Sequence, residues 1–308
     1  MKRAMILMCA VVLMVAATAS AQNGNSDNWR IRGDNGELVK VLPPPANVRA
    51  SNDTIPALAP ANNGGGFLQT SLASYGTVPG HLDNHGGGVM ASGNKIFNVY
   101  YTVDTANKLQ TTINGMLGSF SGSSPAMTVL GQYGVASTFS VSGSYSDPNN
   151  SAPRSISDSG VQSYLASLFT AGKVTADTST LYGVYLPSGT KSTNGSSASC
   201  RNYCGYHSSF TYSGKTIKYA VYPYLNCSGC SLSGTTVNDM ITVVTSHEIR
   251  EAFTDPVNAW WESTSGYEAD DKCAWHNLYR INGYLVQPEF SNSDTAPGQS
   301  KPGACVFP

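Results

Sequence analysis

The residues best suited to chemistry are His247, Glu248 and Glu251, in the run Ser246-His247-Glu248-Ile249-Arg250-Glu251. His247 and Glu251 are four apart, so on a helix they leave from one face. A merely solvated helix end, with Arg250 as a local counter-charge, is the simpler reading. Two features oppose it. The chain has six glutamates, and five of them (248, 251, 262, 268 and 289) fall within 42 residues. Glu248 and Glu251 also sit near the expected helix C-terminus, where the dipole disfavours an anion by about 0.3–1 kcal/mol each. A bound cation offsets both effects, and zinc is the expected ion. A zinc protease helix carries His-Glu-x-x-His: the outer residues hold the metal and the glutamate between them is the base. Here Glu251 replaces the second histidine. Zinc accepts carboxylate oxygen, so the exchange is chemically allowed, and it adds negative charge to the site.

A third ligand has to come from elsewhere. The run Gly266-Tyr267-Glu268-Ala269-Asp270-Asp271-Lys272-Cys273 is the expected source, with Glu268 as ligand and Asp271 supporting it or standing in for it. His207, in Cys204-Gly205-Tyr206-His207, is a further candidate. The acids Asp255, Glu268, Asp270 and Asp271 also suit calcium, which takes several oxygen ligands, so calcium is the alternative ion. Neither a serine nucleophile elbow nor a phosphate-cradling loop is present.

The element that must position this chemistry spans residues 235–256 and reads as one amphipathic helix. Val237, Met240, Ile241, Val244, Ile249, Ala252 and Phe253 recur near helical spacing. Thr235 or Thr236 can cap its start, and Asp255-Pro256 ends it. Upstream, residues 95–103 and 138–145 read as strands, residues 104–117 and 157–169 as helices, and residues 181–186 as a buried strand. Residues 210–212 and 217–224 read as a hairpin around Ser213-Gly214-Lys215, and residues 285–290 as a late strand. His85-Gly86-Gly87-Gly88 is read as a turn. Strands alternating with helices predict an α/β or α+β fold with a mixed sheet and a long helix bearing the metal motif, zincin-like and stabilised by disulfides.

Composition narrows the setting. Net charge is −1 and only 12% of residues are charged, which gives no basic face for nucleic acid. Residues 1–21 read as a secretory signal peptide: Lys2-Arg3, an apolar run, then Ala19-Ser20-Ala21. Cys9 lies inside the apolar run, which argues against a lipoprotein anchor. No other stretch has the roughly 20 apolar residues of a membrane span. Residues 22–65, rich in Asn, Gly and Pro, read as a flexible lead-in, and residues 66–308 as one globular domain. Export leaves six cysteines, 200, 204, 227, 230, 273 and 305. They are expected to form three disulfides, preferably Cys200–Cys204, Cys227–Cys230 and Cys273–Cys305. The spacing of the first four also fits a structural zinc site.

Several of these stretches, in order, resemble the Exordium or phosphate-induced family of secreted proteins. They are Asn84-His85-Gly86-Gly87-Gly88-Val89-Met90 before the first strand, Cys200-x3-Cys204-Gly205-x-His207, Cys227-x2-Cys230, and Ser246-His247-Glu248. Thr254-Asp255-Pro256, Asn258-Ala259-Trp260 and Glu268-x2-Asp271-x-Cys273 complete the series. The resemblance runs from about residue 80 onward. It implies an exported protein of the apoplast, cell wall or periplasm, according to organism, in a family linked to growth responses. Its microbial members look more zincin-like around the His-Glu pair.

Two functions follow as expectations. In one, the chain is a zinc-dependent peptidase or related hydrolase, with His247, Glu251, Glu268 and Asp271 around the metal and Glu248 as base. In the other, it is a non-catalytic module that binds a cell-wall polymer or receptor through Trp260, Trp261 and Trp275.

Overall fold

The computed structural model describes residues 30–32, 38–45, 80–122, 125–295 and 302–306. The expected signal peptide and most of the expected lead-in lie outside these residues. Two pieces of the lead-in lie inside them and belong to the main sheet: β1, Arg30–Arg32, and β2, Leu38–Leu42. In β2 the period-two pattern sends Val39 and Val41 into one core and Leu42 into the other.

Five further strands complete the sheet: β3 (Asn94–Tyr100), β4 (Phe139–Ser146), β5 (Thr180–Tyr185), β6 (Gly205–Tyr212) and β7 (Lys215–Tyr222). Their order is β1-β2-β6-β7-β5-β3-β4. From β7 to β4 neighbours run parallel, while β7-β6, β6-β2 and β2-β1 are antiparallel. The β6–β7 turn is Ser213-Gly214, both at positive φ (47° and 74°), as a two-residue hairpin of this twist requires. The helices that lie wholly within the described residues are α1 (Val103–Phe120), α2 (Pro125–Thr128), α3 (Asp158–Thr170) and α4 (Val237–Thr254). Leu109, Ile113 and Met116 of α1 pack with Ile241, Val244 and Phe253 of α4 in the core on one sheet face. Val161, Leu165 and Leu168 of α3 fill the core on the other. The fold is the mixed α+β arrangement expected.

Several expected boundaries move: the strand read at 95–103 ends at Tyr100, and the one read at 210–212 begins at Gly205, so that it carries His207. Helix α1 starts earlier than read, because Thr102 caps it by accepting the Thr105 N–H at 3.2 Å. The expected strand at 285–290 is two short strands, Tyr284–Val286 and Glu289–Ser291, which pair with different partners.

Helix α4 begins with a reciprocal cap. Thr236 Oγ1 accepts the Asp239 N–H at 3.1 Å, and Asp239 Oδ2 accepts the Thr236 N–H at 2.9 Å; such a cap contributes about 1 kcal/mol. The helix is not amphipathic in the expected sense. From Met240 to Thr254 every residue is buried, polar ones included. The sheet lies on one side, and Tyr284–Val286 packs on the helix as well. Its polar stripe therefore faces an enclosed site.

The disulfides are Cys200–Cys227, Cys204–Cys230 and Cys273–Cys305. The third is as expected and the first two are not. The β6–β7 hairpin brings the chain before β6 beside the chain after β7, so the bonds cross between the two cysteine pairs. With all four in disulfides, the zinc-ribbon reading of these cysteines fails as well.

Candidate metal centre

Three segments deliver the site. α4 carries His247, Glu248 and Glu251 on its last two turns. β6 carries His207. The segment 268–271, pinned by the Cys273–Cys305 bond, brings Glu268, Asp270 and Asp271. All are buried. Gly205 permits the approach of β6 to α4: a Cβ there would sit 2.4 Å from Val244 Cγ1 and 2.9 Å from Glu248 Oε1.

Around His247 each side chain is anchored by one polar atom and presents the other. Gln287 Nε2 donates to the Asp270 carbonyl at 2.8 Å, so Gln287 Oε1 is free to accept from His247 Nδ1 at 3.3 Å. That places a proton on Nδ1, so in the neutral imidazole the lone pair is on Nε2. Glu251 Oε1 accepts the Asp271 N–H at 3.0 Å, and Asp271 Oδ2 accepts the Glu268 N–H at 2.9 Å. The remaining atoms converge: His247 Nε2 lies 3.0 Å from Glu251 Oε2 and 3.6 Å from Asp271 Oδ1. His247 Nε2 and Asp271 Oδ1 are buried and make no hydrogen bond. The 3.0 Å contact has the length of a hydrogen bond and takes a proton from one of its two atoms; with the imidazole neutral and the carboxylate ionised, the state a metal requires, it joins two acceptors. Tetrahedral zinc separates N and O ligands by about 3.4 Å, between the two observed spacings. His247, Glu251 and Asp271 could hold a metal ion.

A second cluster, His207, Glu251 and Glu268, has similar compactness but different electrostatics. Lys40 of β2 reaches into it. Its Nζ is 3.0 Å from Glu268 Oε1, donates to the Asp255 carbonyl at 2.9 Å, and pairs with the Asp255 carboxylate. Burial alone would push Glu268 up, but Lys40 and His207 outweigh it and hold the carboxyl down at about 2. Burial would likewise lower His207, but Glu268 and Glu248 hold it well above the ordinary range. This cluster carries its own positive charge. Glu251, which the two clusters share, and Asp271 are not compensated: burial, and then neighbouring carboxylates, push both well above their usual values. An ionised carboxylate taken out of water needs a partner, and a metal ion at His247 would supply it to both.

The expected residues thus divide. His247, Glu251 and Asp271 share one cluster, Glu268 lies with His207 and Lys40, and Glu251 borders both. Glu248 Oε2 accepts from His207 Nδ1 at 3.0 Å, while its Oε1 is buried with no hydrogen bond. The four acids considered for calcium do not converge. Asp255 is on Lys40, and Asp270 is on Arg250, which also meets Glu289 Oε2 at 2.5 Å. Arg250 is fully buried, unlike a counter-charge on a solvated helix end. Lys40 and Gln287 were not foreseen. Lys40 had a weak signal as the one charge within the apolar run Leu38-Val39-Lys40-Val41-Leu42; Gln287 had none.

The tryptophans are dispersed. Trp275 is buried and donates to the Pro43 carbonyl at 2.9 Å. Trp260 packs on Tyr133, and Trp261 stacks on His85 at 3.6 Å. Gly87 sits where a Cβ would lie 2.1 Å from the Asn258 carbonyl oxygen, so the glycine run pins the loop after α4. Among the described residues no helix is long and apolar enough to cross a membrane. No protein-family model, curated protein or solved structure matches the chain.

Proposed function

We propose that this chain is an exported, Exordium-like zinc-dependent hydrolase with peptide as substrate, and that His247, Glu251 and Asp271 hold the metal. One observation carries the reading: three buried side chains, each anchored through one polar atom, turn their remaining ligand atoms on a common point. A zinc ion at that point would polarise a substrate carbonyl and make water a nucleophile at neutral pH. Three ligands leave the fourth tetrahedral position for substrate or water, as in catalytic rather than structural zinc sites.

Glu248 takes the base role. His207 fixes Oε2, and Oε1 remains as the acceptor for a proton from attacking water. Lys40 holds Glu268 ionised, and Glu268 in turn faces His207 Nε2 at 3.6 Å. The three disulfides and the motif order shared with Exordium proteins support the exported setting.

The test is hydrolysis of a mixed peptide library by the purified protein. Cleavage should stop with a chelator and return with zinc. Cleavage that persists in the chelator, or no cleavage of any peptide by zinc-loaded protein, contradicts the reading.

A further inference from the structure

A strand from the far end of the chain lies beside the His207–Glu268 cluster, which borders the proposed metal centre. β2 lies antiparallel on β6 with Lys40 directly opposite His207, Val41 opposite Tyr206 and Leu42 opposite Gly205. The Cys204 N–H donates to the Leu42 carbonyl at 2.7 Å, and Trp275 clamps the Pro43 carbonyl. Alternation directs Lys40 and Leu42 toward the α4 side, while Val39 and Val41 enter the opposite core. The Lys40 ammonium is received by a built acceptor: the Asp255 carboxylate and carbonyl and Glu268 Oε1. Asp255 and Glu268 are essentially fully buried. Main-chain pairing along an edge, with pockets for alternate side chains, is how sheets bind extended peptides.

Receptor and occupant are fastened differently. β6 is tied to the chain after β7 by Cys204–Cys230, and the segment bearing Glu268 is closed by Cys273–Cys305. No disulfide reaches residues 30–45, and residues 46–79 separate β2 from the rest of the described chain. β2 is held by backbone pairing, apolar side chains and one ion-paired lysine. Because β2 and its site belong to one chain, seating β2 is intramolecular, which favours it over a peptide from outside.

The geometry points to the β6 edge, with the Asp255–Glu268 acid pair, as a binding site for an extended peptide carrying a lysine or arginine two residues before an apolar side chain; β2 is its internal occupant. The site adjoins the proposed zinc centre and defines the substrate class for that reading, on which it rests only for the cleavage step. While β2 is seated, a peptide from outside is excluded.

Two measurements on the full-length chain test this without relying on zinc or hydrolysis. The first is amide hydrogen exchange of the wild-type protein followed by mass spectrometry. Residues 38–42 should exchange at least 100-fold faster than β7. Equal protection of β2 and β7 overturns the proposal. The second is fluorescence anisotropy of a labelled Leu-Val-Lys-Val-Leu peptide. Lys40→Ala should bind it saturably and at least tenfold more tightly than wild type, and Lys40→Ala with Asp255→Asn should lose that binding. Equal affinity in wild type and Lys40→Ala, or binding indifferent to Asp255→Asn, also overturns it. If Lys40→Ala fails to fold, the wild-type exchange measurement decides alone. Slow exchange or absent peptide binding counts against this site only; loss of zinc or of hydrolysis counts against the metal reading.

Discussion

His247 Nε2 lies 3.0 Å from Glu251 Oε2; once the carboxyl is ionised and the imidazole carries its single proton on Nδ1, the two atoms meet as acceptors. Such an arrangement inside a protein is unfavourable unless a cation lies between them. The same helix carries Arg250 one position before Glu251, yet Arg250 turns to Asp270 and Glu289 instead. The helix supplies a buried cation and withholds it from the two side chains that face each other.

Gln287 should matter although it does not face the convergence point. It fixes the His247 tautomer, and partners of this kind typically contribute 10–100-fold in metal affinity. Gln287→Leu is expected to weaken zinc binding by about that factor, read by competition with a chromophoric chelator. Unchanged affinity would show that the tautomer is set by other groups.

Glu248→Gln separates binding from chemistry. The variant should keep its zinc, because Glu248 lies outside the His247 cluster. Hydrolysis should fall by about 10²–10⁴-fold, the usual contribution of a positioned base. Retained turnover would assign the proton transfer elsewhere.

Stability should respond to pH in opposite senses with and without metal. In the metal-free protein Glu251 and Asp271 are raised by burial, and Asp255 is raised to about 6 by burial and then Glu268. His207 is also raised, its carboxylate neighbours outweighing burial. For all four the native state binds more protons than the unfolded chain between the unfolded and folded pKa values, so stability falls as pH rises through that window. Zinc needs the ligands deprotonated, so its stabilisation grows with pH. The chelated protein should melt higher at pH 5.5 than at pH 8, and the increment added by zinc should be larger at pH 8. Zinc increments that do not change with pH would count against the assignment.

The hairpin disulfides should dominate mechanical closure of β6. Cys204 and Cys230 are 26 residues apart, and removing such a bond typically costs about 2–4 kcal/mol. Replacing both by alanine should lower the urea unfolding free energy by that amount. Non-reducing peptide maps of the wild type should link Cys200 to Cys227 and Cys204 to Cys230; a Cys200–Cys204 link would contradict the fold around His207.

Much of the fold is legible because its signals are local. The Thr236–Asp239 cap, the Ser213-Gly214 turn and the periodicity of α1, α3 and α4 are each written in a few neighbouring residues. The site is legible only where it lies on α4. That His247, Glu248 and Glu251 share a helix end follows from spacing, but the environment of their polar face does not. The division of Glu268 from Asp271 depends on Lys40, more than two hundred residues away in sequence. The crossed disulfides depend on the hairpin that brings two cysteine pairs together, and spacing favours the shorter, wrong loops. The strand β2 is hidden by its surroundings, since a run of five residues, four of them apolar, carries little weight amid Asn, Gly and Pro.

The most direct measurement is elemental analysis of the purified, dialysed protein beside its Asp271→Asn and Glu268→Gln variants. Wild type should hold one zinc per chain at His247, Asp271→Asn should lose it, and Glu268→Gln should keep it. A wild-type protein without zinc, or an Asp271→Asn variant that retains it in full, would contradict the centre described.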